Sequence, residues 1–330
     1  MAGLLLLRQG FALEGHHFLF RPGSEGGQAR ASAERVARAL GIPLVVQDLS
    51  EPFQRLRASL VSSYRHGRTP NPCVLCNRIV KTGVLLDRVL ARGASGLATG
   101  HYARADRRRG RLFQAARPDR DQSYFLSWVP AGRFRRLYFP LGERDKEEVR
   151  RIAGEAGWDW LLERGESREI CFVSRTYREL LEEDRGRPGE VVDREGRVLG
   201  RHQGVGLFTV GQRKGLPPGG RPRYVLSLDP LTGRVVVGDR EDLVCRRALA
   251  AGVNLFRDLP LGEEVEGLLR IRSTSKGRAG TWRLLPGGRA EIRFREPEWG
   301  AAPGQLAVLY RDGEVLASGI LRKRLDAGEA

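Results

Sequence analysis

The sequence predicts an α/β plus β protein: a front half built on a parallel sheet, a small linking region and a β-rich end. Three observations carry this. Helical and strand-like patterns alternate over residues 3–110, the signature of a parallel α/β sheet. From about Gly189 helical periodicity gives way to short apolar runs punctuated by Gly, Pro and Asp. The chain has 330 residues, 41% of them apolar, which at roughly 100–200 residues per domain suits two or three packed domains.

Ala33–Leu40 places Ala33, Val36 and Leu40 on one helical face, and Gly41 stops it before a short buried strand over Ile42–Val46. Arg78–Leu90 reads as a second helix, apolar at Ile79, Leu85, Leu86 and Val89, followed by a strand from Gly96 to Thr99. The run from Arg107 to Arg111 reads as a solvated hairpin tip. Asp145 with Glu148 three residues on forms a capping box for a helix from Lys146 to Ala156. Beyond Gly189, strands are expected at Tyr224–Leu228, Arg234–Val237, Val265–Ile271, Ala290–Phe294, Gln305–Tyr310 and Glu314–Leu321. This spacing suits a small barrel or sandwich.

The chain carries 57 Lys and Arg against 40 Asp and Glu, a formal charge of +17. Such a charge suits a polyanionic partner, because basic side chains neutralise phosphates and release counterions. Only five of the basic residues are lysines, a skew that a GC-rich genome also produces. The apolar run Leu4–Leu7 is far too short to cross a bilayer and has no basic segment before it, so neither a membrane span nor a signal peptide is expected. Four cysteines in 330 residues exclude a disulfide scaffold and fit a cytoplasmic protein.

Cys73 and Cys76 form a CxxC within Thr69-Pro70-Asn71-Pro72-Cys73-Val74-Leu75-Cys76-Asn77. A zinc knuckle needs a second close pair, and Cys171 and Cys245 stand alone, so no metal site is expected. Asn71 is placed to cap a helix with Pro72 at its first position. Cys76 then lies in the opening turns, where the helix dipole favours a thiolate. Cys171, in Glu169-Ile170-Cys171-Phe172-Val173, reads on its own as a small buried hydrophobe, and Cys245 as structural. His16 and His17 read as strand residues rather than ligands. Thr99-Gly100-His101 follows a strand, where open α/β sheets bind ligands.

Taken in order, TPNPCVLCN, ATGHY, DQSYFL, ICFV, HQG, GQRKGL and PGQ resemble the tRNA-specific 2-thiouridylase family over nearly the whole chain. The resemblance implies an adenine-nucleotide α-hydrolase-like (PP-loop, Rossmann-like) domain over residues 1–185, a small central domain over 186–248 and a tRNA-contacting β-barrel over 249–330. It implies ATP-dependent transfer of persulfide sulfur to C2 of the wobble uridine of tRNA, with ATP and Mg2+ as cofactors and a donor protein supplying the sulfur. Cys171 matches the family's persulfide carrier and Cys76 its nucleophile, and the two can form a disulfide. Base and tRNA recognition match Asn71, Pro72 and Cys73, then Arg120, Asp121 and Gln122, with His101 and Gln305 as further tRNA contacts. Arg272 and Ser273 fall where the family shows Arg-Tyr, so a stacking surface is lost there. Gly100 and Phe18 match the edge of an adenine pocket.

The main departure is at the start. The family opens with a strand and a Ser-Gly-Gly-x-Asp-Ser loop whose amides grip pyrophosphate. No such motif occurs in this sequence, and Ser24-Glu25-Gly26-Gly27 lacks the following Asp-Ser. Met1–Gly10 resembles the helix after that loop, and Phe11–Phe20 the strand after it. The expectation is an α/β domain lacking its first strand, a true start upstream of Met1, and weak ATP binding by residues 1–330. Two other readings stay open: a non-catalytic tRNA-binding paralogue, and a CxxC redox or metal protein unrelated to RNA.

Overall fold

The computed structural model describes residues 1–20, 27–158, 160, 185–219 and 221–325. The chain forms two compact units: Met1–Leu56 with Leu75–Phe172, and Arg57–Val74 with Val173–Ala330. No helix among the described residues is long and apolar enough to cross a membrane.

The first unit begins with α1 (Ala2–Arg8), whose Leu5 packs with Leu141 and Ile152. Then follow β1 (Gly15–Leu19), α2 (Gly27–Leu40), β2 (Leu44–Asp48) and α3 (Ser50–Arg65), the last running on into the second unit. β1 and β2 pair in parallel from Gly15–Leu44 to Leu19–Asp48. The strand expected at Ile42 begins two residues later because Pro43 has no N–H for the ladder. Its carbonyl instead accepts the Gly15 N–H at 2.8 Å. That five-residue register also confines β1 to half of the stretch from Phe11 to Phe20.

The helix expected from Arg78 starts earlier and is not uniform. It comprises α4 (Pro72–Cys76), a π-helical segment over Asn77–Leu85, and α5 (Leu86–Ala91). Next come β3 (Leu97–Ala98), the hairpin β4 (Arg104–Asp106) and β5 (Arg111–Phe113), α6 (Ser123–Leu126), β6 (Leu137–Tyr138) and α7 (Lys146–Glu155). β3 pairs in parallel with β6, and β4 with β5 is the antiparallel hairpin expected from the arginine run. Arg107 at its tip lies over the Tyr138 ring, 3.6 Å from the centroid. Leu86, Leu112, Tyr124, Leu126, Phe134 and Leu137 are fully buried, each side chain stabilising the unit by about 1.5–3 kcal/mol. Asp145 caps α7 by accepting the Glu148 N–H at 2.7 Å. The Glu148 carboxylate pairs with Arg144, so the expected box is half formed.

In the second unit, β7 (Gly189–Val192), β8 (Val198–His202), β9 (Tyr224–Asp229) and β10 (Arg234–Gly238) form a four-stranded sheet in the order β8-β7-β10-β9. β11 (Val244–Leu255), β12 (Glu264–Arg270), β13 (Arg278–Leu285), β14 (Arg289–Trp299), β15 (Leu306–Arg311) and β16 (Glu314–Arg324) follow. These six run in the order β11-β14-β13-β12-β15-β16, and β16 pairs back with β11. The barrel is therefore closed, which leaves its six strands no unpaired edge. Trp282, Leu269, Ile292 and Leu309 fill its core. Cys245 is fully buried there and donates Sγ–H to the Arg247 carbonyl at 3.3 Å, in keeping with a structural thiol.

Candidate active site

Asn71 is the residue that starts the cysteine helix. Its side-chain oxygen accepts the N–H groups of Cys73 (3.0 Å) and Val74 (3.3 Å), two donors with no partner inside the helix. Pro72 at the first helical position loses nothing by lacking an N–H. Cys73 is half-buried and Cys76 is 5% exposed. The helix widens immediately after Cys76. The Thr82 hydroxyl donates to the Asn77 carbonyl, five residues back, at 2.7 Å. Gly83 lets the wide turn close, since a Cβ there would lie 2.9 Å from the Arg78 carbonyl oxygen. π turns of this kind recur at functional sites.

Two residues at the start of the wide turn hold it to the segment from Ser123 to Trp128. Asn77 Nδ2 donates to the Phe125 carbonyl at 3.0 Å, while its Oδ1 is buried without a hydrogen-bond partner. Arg78 donates to the Trp128 carbonyl and lies 4.2 Å from the centroid of the Trp128 ring. Burial lowers the pKa of Arg78. Asn77 closes the TPNPCVLCN string, but Arg78, Thr82 and Trp128 escape a reading by motif. The apolar periodicity of 78–90 masks the π turn, and only the Thr82-Gly83 pair inside a helical pattern signals it.

The ATGHY and DQSYFL strings meet at reciprocal hydrogen bonds. Gln122 N–H donates to the Tyr102 carbonyl at 2.8 Å, and Tyr102 N–H donates to Gln122 Oε1 at 2.9 Å. Asp121 organises its own loop, its carboxylate accepting from Ala115 N, Ser123 N, Ser123 Oγ and Gln114 Nε2. Arg120 is paired with Asp119 at 3.5 Å. His101 contacts Thr99 Oγ1 through Nδ1 at 2.8 Å. Burial, and then the Lys81 ammonium, push the His101 pKa down to about 3, so the ring is neutral at pH 7. Gly100 is exposed beyond the carboxyl end of β3, and a Cβ there would meet only Leu141, at 3.8 Å. Phe18 lies on the separate β1–β2 ladder, edge-on to Phe20 at 5.1 Å.

In the second unit the turn Pro303-Gly304-Gln305 meets Thr69, two residues before the Asn71 cap, through Gln305 Nε2 at 2.6 Å. In the HQG and GQRKGL strings, the His202 and Gln212 side chains hold local backbone turns. His202 Nε2 contacts the Gly233 carbonyl at 2.8 Å while its Nδ1 accepts the Gly204 N–H at 3.2 Å. Gln212 accepts from Thr209 N and donates to the Lys214 carbonyl. Arg272 pairs with Glu298 at 3.2 Å and lies 5.0 Å from the Trp299 ring centroid. Ser273 contributes its carbonyl to Arg270 at 2.8 Å. An aromatic ring, Trp299, thus stands beside Arg272, and a linear reading missed it because it is 27 residues further on. Cys171 and its pairing with Cys76 lie outside the described residues.

These features define a three-part architecture: a HUP-type α/β unit bearing a capped CxxC helix, a small sheet of the PRC-barrel kind, and a closed six-stranded barrel. Residues 21–175 match the model of the tRNA methyl transferase HUP domain, 178–239 that of the tRNA methyl transferase PRC-barrel domain, and 246–321 that of the aminomethyltransferase beta-barrel domain. The chain is 41% identical to the tRNA-specific 2-thiouridylase MnmA of Acidithiobacillus ferrooxidans (strain ATCC 53993 / BNL-5-31), over 97% of this chain and 94% of that protein. It is 43% identical to MnmA of Geobacter metallireducens, over 90% and 82%. MnmA of Moorella thermoacetica is 41% identical, over 87% and 83%. The chain belongs to the tRNA-specific 2-thiouridylase family.

Proposed function

We propose that this protein is a tRNA-uridine 2-sulfurtransferase that replaces O2 of the wobble uracil with sulfur from a persulfide. Family membership supports the substrate class, and the Asn71-capped helix supports Cys76 as the nucleophile. Cys171 carries the persulfide received from a donor protein. The Cys76 thiolate attacks the Cys171 sulfur, forming a Cys76–Cys171 disulfide and releasing the outer sulfur as hydrosulfide beside C2. A thiol reductant then restores both cysteines. The protein works in the cytoplasm, with joints between its three domains near residues 185 and 248.

Asn71, Pro72 and Cys73 face the target base in this reading, and the stitched Tyr102–Gln122 loops present Arg120 and His101 to the tRNA. Arg272, with Trp299 beside it, and Ser273 contact RNA from the barrel. ATP, when bound with Mg2+, activates the uracil oxygen as a leaving group. Exposed Gly100, beyond the carboxyl end of β3, and the carboxyl end of β1 near Phe18 are the positions that would take the nucleoside in this reading. Neither residue offers a cradle for the triphosphate, so no step is assigned to it.

The test is genetic and chemical. Disrupting the gene in its own host should remove 2-thiouridine from tRNA digests read by mass spectrometry. Unchanged 2-thiouridine would rule the function out.

A further inference from the structure

A turn of the barrel holds the lead-in to the cysteine helix by both polar groups of one residue. The Thr69 N–H donates to the Pro303 carbonyl at 2.7 Å, and Gln305 Nε2 donates to the Thr69 carbonyl at 2.6 Å. Between the two, Gly304 adopts φ +94, and a Cβ there would come within 2.7 Å of Thr69 N and 3.1 Å of Arg68 Cβ. The turn therefore needs glycine for its backbone and for its closeness to Thr69. Gln305 is itself fixed to the barrel. Its N–H donates to the Ala302 carbonyl (3.2 Å) and its carbonyl accepts the Leu321 N–H (2.8 Å), while Gly304 N–H donates back to the Leu321 carbonyl (2.9 Å).

We propose that Gln305 is a positioning residue for Cys76. It fixes the Thr69 carbonyl two residues before Asn71, and so keeps the Asn71 oxygen aligned with the amides of Cys73 and Val74. The helix start that favours a Cys76 thiolate is then set from the barrel rather than by the short helix alone. The resemblance assigned Gln305 to tRNA contact, yet its amide nitrogen is engaged by this backbone. The proposal rests on the reading of Cys76 as nucleophile.

The test uses the full chain with Gln305→Ala and Gln305→Glu. The second keeps the shape but sets an acceptor against the Thr69 carbonyl. Hydrogen exchange follows the peptide covering 69–76, with β13 and β14 peptides reporting that the barrel stays folded. Iodoacetamide labelling across pH, read at Cys76 by peptide mass spectrometry, follows the thiol, and filter binding follows tRNA. The expected result is about tenfold faster exchange over 69–76 with barrel protection retained. The Cys76 labelling midpoint moves to higher pH, and tRNA affinity changes less than about twofold. Weakened tRNA binding with unaltered exchange and labelling would return Gln305 to RNA contact. Faster exchange with an unmoved midpoint would reduce the turn to a purely structural role. Either outcome overturns the proposal. No readout depends on turnover, so a chain that makes no 2-thiouridine refutes the proposed function without deciding this one.

Discussion

Asn71 accepts the backbone N–H of Cys73 on its side-chain oxygen at 3.0 Å. This contact joins local helix chemistry to the proposed nucleophile three residues further on. Asn71→Ala should cost about 1 kcal/mol in urea unfolding, the usual loss for a helix cap. It should also slow Cys76 alkylation at neutral pH. Asn71→Asp should keep the stability while moving the alkylation midpoint to higher pH, because a carboxylate opposes a nearby thiolate. Equal stability of the Ala variant and the parent would show that the cap contributes nothing.

The wide turn gives a prediction opposite in sign to helix propensity. Gly→Ala inside a helix stabilises by about 0.5–1 kcal/mol when the backbone is regular. At Gly83 the added Cβ would lie 2.9 Å from the Arg78 carbonyl oxygen, a backbone atom that cannot swing away. Gly83→Ala should therefore lower the melting temperature. A rise would mean that the segment is an ordinary α-helix in solution.

Several elements were legible because one local rule determines them. The Asn71-Pro72 start, the Asp145 cap and four of the six barrel strands, β12, β14, β15 and β16, follow from capping chemistry and turn spacing, whereas β11 and β13 were not foreseen. Other features depend on partners distant in sequence. The β2 boundary is set by Gly15 meeting Pro43, and the π turn by the Thr82 hydroxyl reaching the Asn77 carbonyl. The long strand β11 escaped notice because it pairs with both β14 and β16 and is bulged on each side, which breaks its alternation. The site was legible as a set of strings, but not their joins. Nothing local says that Gln122 serves Tyr102 or that Gln305 serves Thr69.

His101 gives a pH dependence whose sign is fixed. Burial lowers its pKa to about 3 in the folded protein, against an ordinary value near 6.5. On acidification the unfolded chain binds this proton before the folded one does. The stability held by the neutral ring is complete above pH 6.5 and is lost as pH falls toward 3. Between pH 6.5 and pH 4, wild type should lose up to about 3 kcal/mol more than His101→Gln in urea titrations. Parallel pH profiles would place His101 in solvent.

Cys245 and Cys76 separate structure from chemistry. Cys245 is fully buried in the barrel, so Cys245→Ala should lower stability by about 1 kcal/mol and leave sulfur transfer intact. Cys76→Ser is nearly isosteric and should unfold like wild type.

The most direct measurement is complementation of a host lacking its own copy of the gene, with the 2-thiouridine content of its tRNA read by mass spectrometry. The native gene should restore the modified base and the Cys76→Ser gene should not, at equal protein levels. Restoration by the Cys76→Ser gene, or none by the native gene, would contradict the account.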